Sequence, residues 1–345
     1  MTSNSLKSLS DLPEKLMKPQ MREKSFMHNK AYISQDMEII FVFCPLPEKL
    51  KNQLRDLAGK GHTVIFADGN EQQTHPEFHR STILFGNPPR EWLNVAENLR
   101  FWQLDSAGFA VYTDVSTGAR VCNMGRFFSR PCAETLIGGL LALYRKLNVF
   151  ILAGTNKQWI GKEIRHRQDT LSGKNIIMLG AGNIARETAH ILKAFACNVK
   201  FLARTNPNAD YRNKEELYRH LHEFDLVINT LPGTANKYVD AEFFEKMKKG
   251  SVYANIGRGI TTDEDALWLN LQSGKLSGAV LDVNTIEPLP PSSPLWNQEN
   301  IILSHHNGGG IYVEFEAKLK LFLDNLKAFQ NGYPLKNQID LKKGY

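Results

Sequence analysis

The stretch IIMLGAGNIA, residues 176–185, decides the fold. An apolar, strand-forming run stops at two glycines, Gly180 and Gly182, and a helical sequence, NIARETAHILKAF, begins at once. Gly180 permits a tight turn, and Gly182 lets backbone come close to a pyrophosphate. The helix N-terminus adds unpaired N–H groups and the positive end of its dipole. A plain turn would also explain two glycines, and Ala185 stands where a third glycine is usual, so the motif alone is weak. Its position between strand and helix is what gives it meaning. This reading places dinucleotide contacts at Gly180, Ala181, Gly182, Asn183 and Ile184.

Downstream, KNIIMLG, NVKFLAR, DLVINTLP, GSVYANIG, SGAVLDV and NIILSHH read as six strands separated by helical stretches. Six is the number a complete dinucleotide fold requires. About 20 residues past the glycines, where an NAD site carries Asp or Glu, the chain has Arg204 and Thr205 in LARTNP. A guanidinium beside a hydroxyl suits a 2′-phosphate, so NADPH is the expected cofactor, with NAD as the second choice. An arginine in such a loop is often only solvated, and the glycine loop upstream is what favours the phosphate.

Upstream, MEIIFVFCPLP, HTVIFAD, STILFG and FWQLDSAG alternate with helical segments, one of them near EWLNVAENL, which indicates another parallel sheet. PCAETLIGGLLALYRKLNVF, 131–150, reads as one long helix with Pro131 favourable near its start. Its apolar residues cover most of its circumference, so it should be buried between domains or subunits, and a homodimer built on it is expected. Trp159 reads as packing. VEFEAKLKLFLDNLKAFQNG is an amphipathic helix ended by Gly332. Because it lies beyond the six-strand unit, it must bury its apolar face elsewhere. The expected organisation is α/β with two doubly wound parallel-sheet domains, a Rossmann cofactor domain inserted in a flavodoxin-like substrate domain. Residues 1–37 form a polar, flexible extension, 38–123 open the substrate domain, 124–308 bind the dinucleotide, and 309–345 return to the substrate domain.

The bulk properties agree with an enzyme of ordinary composition. The 345 residues are 42% hydrophobic and 23% charged, with net charge +6. The positive residues are scattered with no long basic block, so no nucleic-acid partner is expected. ETLIGGLLALYRKL has about ten residues between charges, short of a bilayer span. No membrane partner is expected. Four separated cysteines, Cys44, Cys122, Cys132 and Cys197, without C-x-x-C spacing, read as reduced thiols rather than a metal site. A cytoplasmic location follows, with organellar targeting by the N-terminal segment left open.

The motifs NTLPGT, NIGRG, SGKLSGAVLDV, EPLPPSSPLW and NIILSHHNGG, in this order after the glycine loop, resemble the D-isomer-specific 2-hydroxyacid dehydrogenase family. The likeness is strong over about 130–310 and looser upstream. With Arg204 and Thr205 it is similar to the NADPH-preferring glyoxylate/hydroxypyruvate reductase branch. The resemblance implies Arg258, Glu287 and His306 as the catalytic set. It also implies cofactor contacts from Leu231, Pro232, Ile256, Gly257 and Asp282, and substrate contacts from Ala107, Gly108, Arg258 and His306. The family histidine normally follows proline. Here His305 holds that place, and the spacing to Gly308 and Gly309 selects His306.

The chemistry is sensible on its own terms. An arginine fork can bind the carboxylate and carbonyl of a 2-keto acid. Histidine can give a proton in reduction and take one in oxidation. A carboxylate such as Glu287 can hydrogen-bond its other ring nitrogen. Backbone N–H groups of Ala107 and Gly108 can meet a substrate carboxylate. Two other functions remain open: a dinucleotide-sensing, corepressor-like binding protein, and an NAD-linked phosphoglycerate-type dehydrogenase. The absence of an acid after the second strand speaks against the latter.

Overall fold

The computed structural model describes residues 38–59, 61–67 and 74–344. The expected flexible extension, 1–37, lies outside them. Two parallel sheets organise the described chain. The first comprises β1 (Glu38–Val42), β2 (His62–Phe66), β3 (Ile83–Phe85), β4 (Phe101–Gln103) and β5 (Arg120–Cys122), in the order β2-β1-β3-β4-β5. That is the flavodoxin-like order. β5 is not evident in the sequence, because three residues with a single buried valine between Arg120 and Cys122 show no period.

Both faces of this sheet are covered, which is why its strands read as continuous apolar runs. On one face, Leu50 and Leu54 of helix Glu48–Ala58 join Leu319, Phe322 and Leu326 of helix Glu314–Gln330 against Ile40, Val42, Ile83 and Phe101. The last helix therefore packs on the first sheet, some 200 residues away in sequence. On the other face lie Phe78, Trp92, Trp102, Tyr112 and Leu341. The helix expected near EWLNVAENL is a six-residue 3-10 segment, Arg90–Val95. Pro89 opens it and Trp92 anchors it in the core, leaving too little chain to propagate an α-helix.

The second sheet comprises β6 (Asn175–Leu179), β7 (Asn198–Leu202), β8 (Leu226–Asn229), β9 (Ser251–Asn255), β10 (Leu276–Leu281) and β11 (Ile301–Leu303). All six are the strands read from the sequence. Their order is β11-β10-β9-β8-β6-β7. A single parallel bridge from Leu202 to Tyr211 continues the sheet past β7. With that bridge counted as a vestigial strand, the arrangement is the 3-2-1-4-5-6 order usual for dinucleotide domains, extended by one strand.

The long helix is not continuous to residue 150. Ser129–Arg145 ends at Lys146, which is left-handed at φ 57°, and a second helix, Leu147–Thr155, leaves at 73°. The first helix is buried as its composition requires. Leu136, Leu140 and Leu143 pack on Ile176, Met178, Val252 and Val280. The second helix presents its apolar side outward, with Ile151 72% and Leu152 64% exposed. Trp159 is 96% exposed, so the expectation that it packs is not met among the described residues. A left-handed Lys146 turns the second helix by 73°, and its apolar side covers no surface among the described residues. No single helix among the described residues is long and apolar enough to cross a membrane.

Candidate active site

Parallel strands all end on the same side, so the residues after β6 to β11 gather along one edge. Gly180 follows β6 at φ +99°, and a Cβ there would sit 2.8 Å from Thr230 Oγ1. Only glycine satisfies both constraints. Helix Asn183–Leu192 starts directly after Gly182, with no side-chain cap and no acid in its first turn. The space around Gly182 is open. An uncapped N-terminus reached over an open glycine fits a pyrophosphate, so the residues present suit a dinucleotide. Arg204 and Thr205 lie exposed just past β7. Arg204 makes no ion pair among the described residues. Asp210, the acid of this loop, is turned away and accepts from Phe201 N at 2.8 Å.

Two buried asparagines, which the sequence reading did not single out, hold the next loops. Asn229 ends β8, donates to Tyr253 OH at 2.9 Å and Thr261 Oγ1 at 2.8 Å, and accepts from Leu231 N at 3.0 Å. Asn255 ends β9, donates to the Arg258 carbonyl at 3.1 Å, and accepts from Gly257 N at 2.9 Å. An asparagine closing an otherwise apolar strand, as in LVIN and VYAN, was the available signal. Each fixes the loop that follows it, so Leu231, Pro232, Ile256 and Gly257 sit on rigid backbone.

Arg258 extends from that loop towards the first sheet. Its guanidinium lies against Gly108, where a Cβ would be 2.0 Å from Nη2. Nη1 donates to the Gly257 carbonyl at 2.7 Å. Gly108 belongs to the loop after β4, and Asn123 Nδ2 supports that loop by donating to the Ala107 carbonyl at 2.7 Å. The N–H groups of Ala107 and Gly108 have no acceptor among the described residues. Asp105, just before this loop, faces Lys318 at 3.5 Å, and Lys318 also pairs with Glu314 at 2.7 Å. Burial alone would lower the Lys318 ammonium, but these acids hold it above the ordinary lysine value.

Asp282 directly follows β10 and is 5% exposed. Its Oδ1 accepts from Ser304 Oγ at 2.7 Å, Asn307 N at 3.1 Å and Gly308 N at 2.9 Å. It thus clamps the turn that carries the histidines, both of which have positive φ. Glu287 accepts from Asn284 N at 2.8 Å through Oε1, and its Oε2 lies 2.6 Å from His306 Nδ1. His305 points elsewhere, its ring 5.5 Å from that of Trp296. Of the two imidazoles, the structure brings His306 to the carboxylate. Beneath the edge, burial foremost and Asp282 next push the Cys132 thiol up to about 12, which leaves it a protonated, inert packing group.

Arg258, Asp282, Glu287 and His306 thus stand just past the ends of β9, β10 and β11, with Arg258 against Gly108, while Arg204 and Thr205 stand apart past β7. Residues 137–308 match the model of the D-isomer specific 2-hydroxyacid dehydrogenase NAD binding domain. The chain is 27% identical to glyoxylate/hydroxypyruvate reductase A HPR2 of Arabidopsis thaliana over 311 residues, covering 86% of this chain and 97% of that relative. It is also similar to a D-isomer specific 2-hydroxyacid dehydrogenase family protein of Aeromonas salmonicida, at 26% identity. That match has a TM-score of 0.74 and covers 88% of this chain and 99% of the other. A D-isomer specific 2-hydroxyacid dehydrogenase of Xanthobacter autotrophicus Py2, crystallised with NADPH and MES, shares the fold at TM-score 0.73 and 23% identity, covering 89% of this chain and 99% of that one.

Proposed function

We propose, on the premise that the chain belongs to the D-isomer specific 2-hydroxyacid dehydrogenase family of NAD(P)-dependent oxidoreductases, that it reduces glyoxylate, hydroxypyruvate or a 2-keto acid of similar size to the D-2-hydroxy acid with NADPH. The observation that carries this reading is the placement of two groups past the strand ends of one sheet: an arginine fork against Gly108, and an imidazole held by Glu287. The name of the Arabidopsis relative supports the substrate class.

Each step has a residue suited to it. Gly180 to Ile184 would hold the pyrophosphate, with Leu231, Pro232, Ile256, Gly257 and Asp282 beside the rest of the dinucleotide. When bound, NADPH supplies the hydride. Arg258 binds the substrate carboxylate and polarises the carbonyl oxygen, with the N–H groups of Ala107 and Gly108 as further donors. His306 gives its proton from Nε2 to that oxygen, because Nδ1 is engaged with Glu287. Glu287 fixes the orientation of the ring through Nδ1.

Arg204 and Thr205 support NADPH over NADH, by roughly ten- to a hundredfold in kcat/KM for one charge-assisted phosphate contact. Arg204→Asp reverses that preference, measured by steady-state kinetics with both cofactors. A substrate series of glyoxylate, hydroxypyruvate, pyruvate and longer keto acids tests the reaction. Tight NADPH binding without turnover of any of them would replace it with a cofactor-sensing role. The domain division at 124 and 308 and the homodimer belong to the same reading. The surface for a second copy is Leu147, Ile151 and Leu152 together with Trp159, rather than the buried helix before them. A monomer in sedimentation at micromolar concentration would remove the dimer.

A further inference from the structure

Beyond β7 the chain makes a short excursion, residues 203–210, before returning at Tyr211. Its two ends are tied together: Ala203 N donates to the Tyr211 carbonyl and Tyr211 N to the Phe201 carbonyl, each at 3.0 Å. Arg204 and Thr205 stand on the outgoing limb, and Arg212 follows the return. The Arg212 side chain folds back over the excursion. Nη2 donates to the Pro207 carbonyl at 2.8 Å, and Nη1 donates to the Asn206 carbonyl. Its backbone N–H is held separately, by Glu216 Oε2 at 2.7 Å.

Two further facts give this arrangement a purpose. Neither Arg212 nor Arg204 has a carboxylate partner among the described residues, so two uncompensated guanidinium groups sit on one short loop. The acids nearby are already engaged: Asp210 accepts from Phe201 N, and Glu216 accepts from Arg212 N and the Asn213 amide. A guanidinium has five N–H donors, and the two carbonyls use two of them. A single arginine balances half the charge of a phosphate monoester dianion, so a second cation on the same segment is needed to balance the rest.

We propose that Arg212 is a positioning and specificity-determining residue for the adenosine 2′-phosphate. Its fork pins the Asn206 and Pro207 carbonyls so that Arg204 and Thr205 are held ready for the phosphate, and its charge completes the neutralisation. This rests on the cofactor reading above. Preorganisation of the loop means that less ordering is lost on binding, so the benefit falls on the 2′-phosphorylated nucleotide alone.

The test compares the dissociation constants, by calorimetry on the full-length protein, of two competitive inhibitors, adenosine 2′,5′-bisphosphate and adenosine 5′-monophosphate, for wild type and Arg212→Ala. Arg212 is exposed, and its replacement leaves the buried core intact. The expected result is a rise of roughly tenfold in the dissociation constant of the bisphosphate, about the value of one charge-assisted hydrogen bond, with the monophosphate unchanged. NADPH should lose kcat/KM by the same factor while NADH keeps its own. An equal loss for both inhibitors would mark Arg212 as merely structural, and no loss for either would remove it from the site; both overturn the proposal. A wild type that does not distinguish the inhibitors overturns the cofactor reading itself. A wild type that does, beside an unaltered Arg212→Ala, overturns this inference alone.

Discussion

Asp282 and Glu287 are carboxylates five residues apart in one segment after β10, yet they are put to opposite uses. Asp282 is buried, and one of its oxygens takes three donors, two of them backbone N–H groups of the histidine turn. Glu287 is exposed and divides itself between one backbone N–H and the His306 ring. The difference shows how the site separates shape from reactivity. A buried carboxylate must satisfy its charge with fixed donors, and in doing so it fixes them. An exposed carboxylate keeps water contact, so it can hold the ring without locking the backbone around it.

The largest effect should come from the group both carboxylates serve. His306→Ala is expected to lower kcat by roughly 10² to 10⁴, the span typical of a lost general acid, with thermal stability little altered. If His305→Ala proves the crippling change instead, the turn has been misread by one residue. Asp282→Ala should come next and act on both axes. Loss of three hydrogen bonds to a charged acceptor should cost about 2–4 kcal/mol of stability, read by denaturant titration, together with much of the activity as the turn loosens. Full stability with lost activity would break the comparison, because Asp282 would then belong to the chemistry. Glu287→Gln should be milder, about tenfold in kcat with an unchanged unfolding midpoint, since an amide can still orient the ring without its charge. A clear fall in stability there would erase the distinction between the two acids. The smallest effect belongs to His305→Ala, which loses a tilted contact with Trp296 and should leave kcat within about twofold, as expected for a group outside the proton path.

Much of this organisation follows from local chemistry. Six apolar segments with helical spacers specify a wound parallel sheet, and Gly180 with Gly182 marks where its first strand turns. Arg258, Glu287 and His306 lie in motifs that differ from ordinary turns only in their order along the chain. Asn229 and Asn255 were overlooked because a polar residue at a strand end usually signals only that the strand is over. Their value lies in the carbonyl and N–H groups of the loops they face, which no linear pattern displays.

The strand–helix alternation, the glycine turn and the types of residue at the strand ends can be read along the chain, because each depends on contacts between sequence neighbours. The tertiary structure decided the rest. It broke the long helix at Lys146 and left Ile151 and Trp159 exposed. It returned helix Glu314–Gln330 to the first sheet and set Arg258 against Gly108. It also chose His306 over His305 for Glu287. The helix return, the Arg258 placement and the choice of histidine each join residues separated in sequence. Their cost in chain entropy is met by the whole packed core, so no local stretch contains the information.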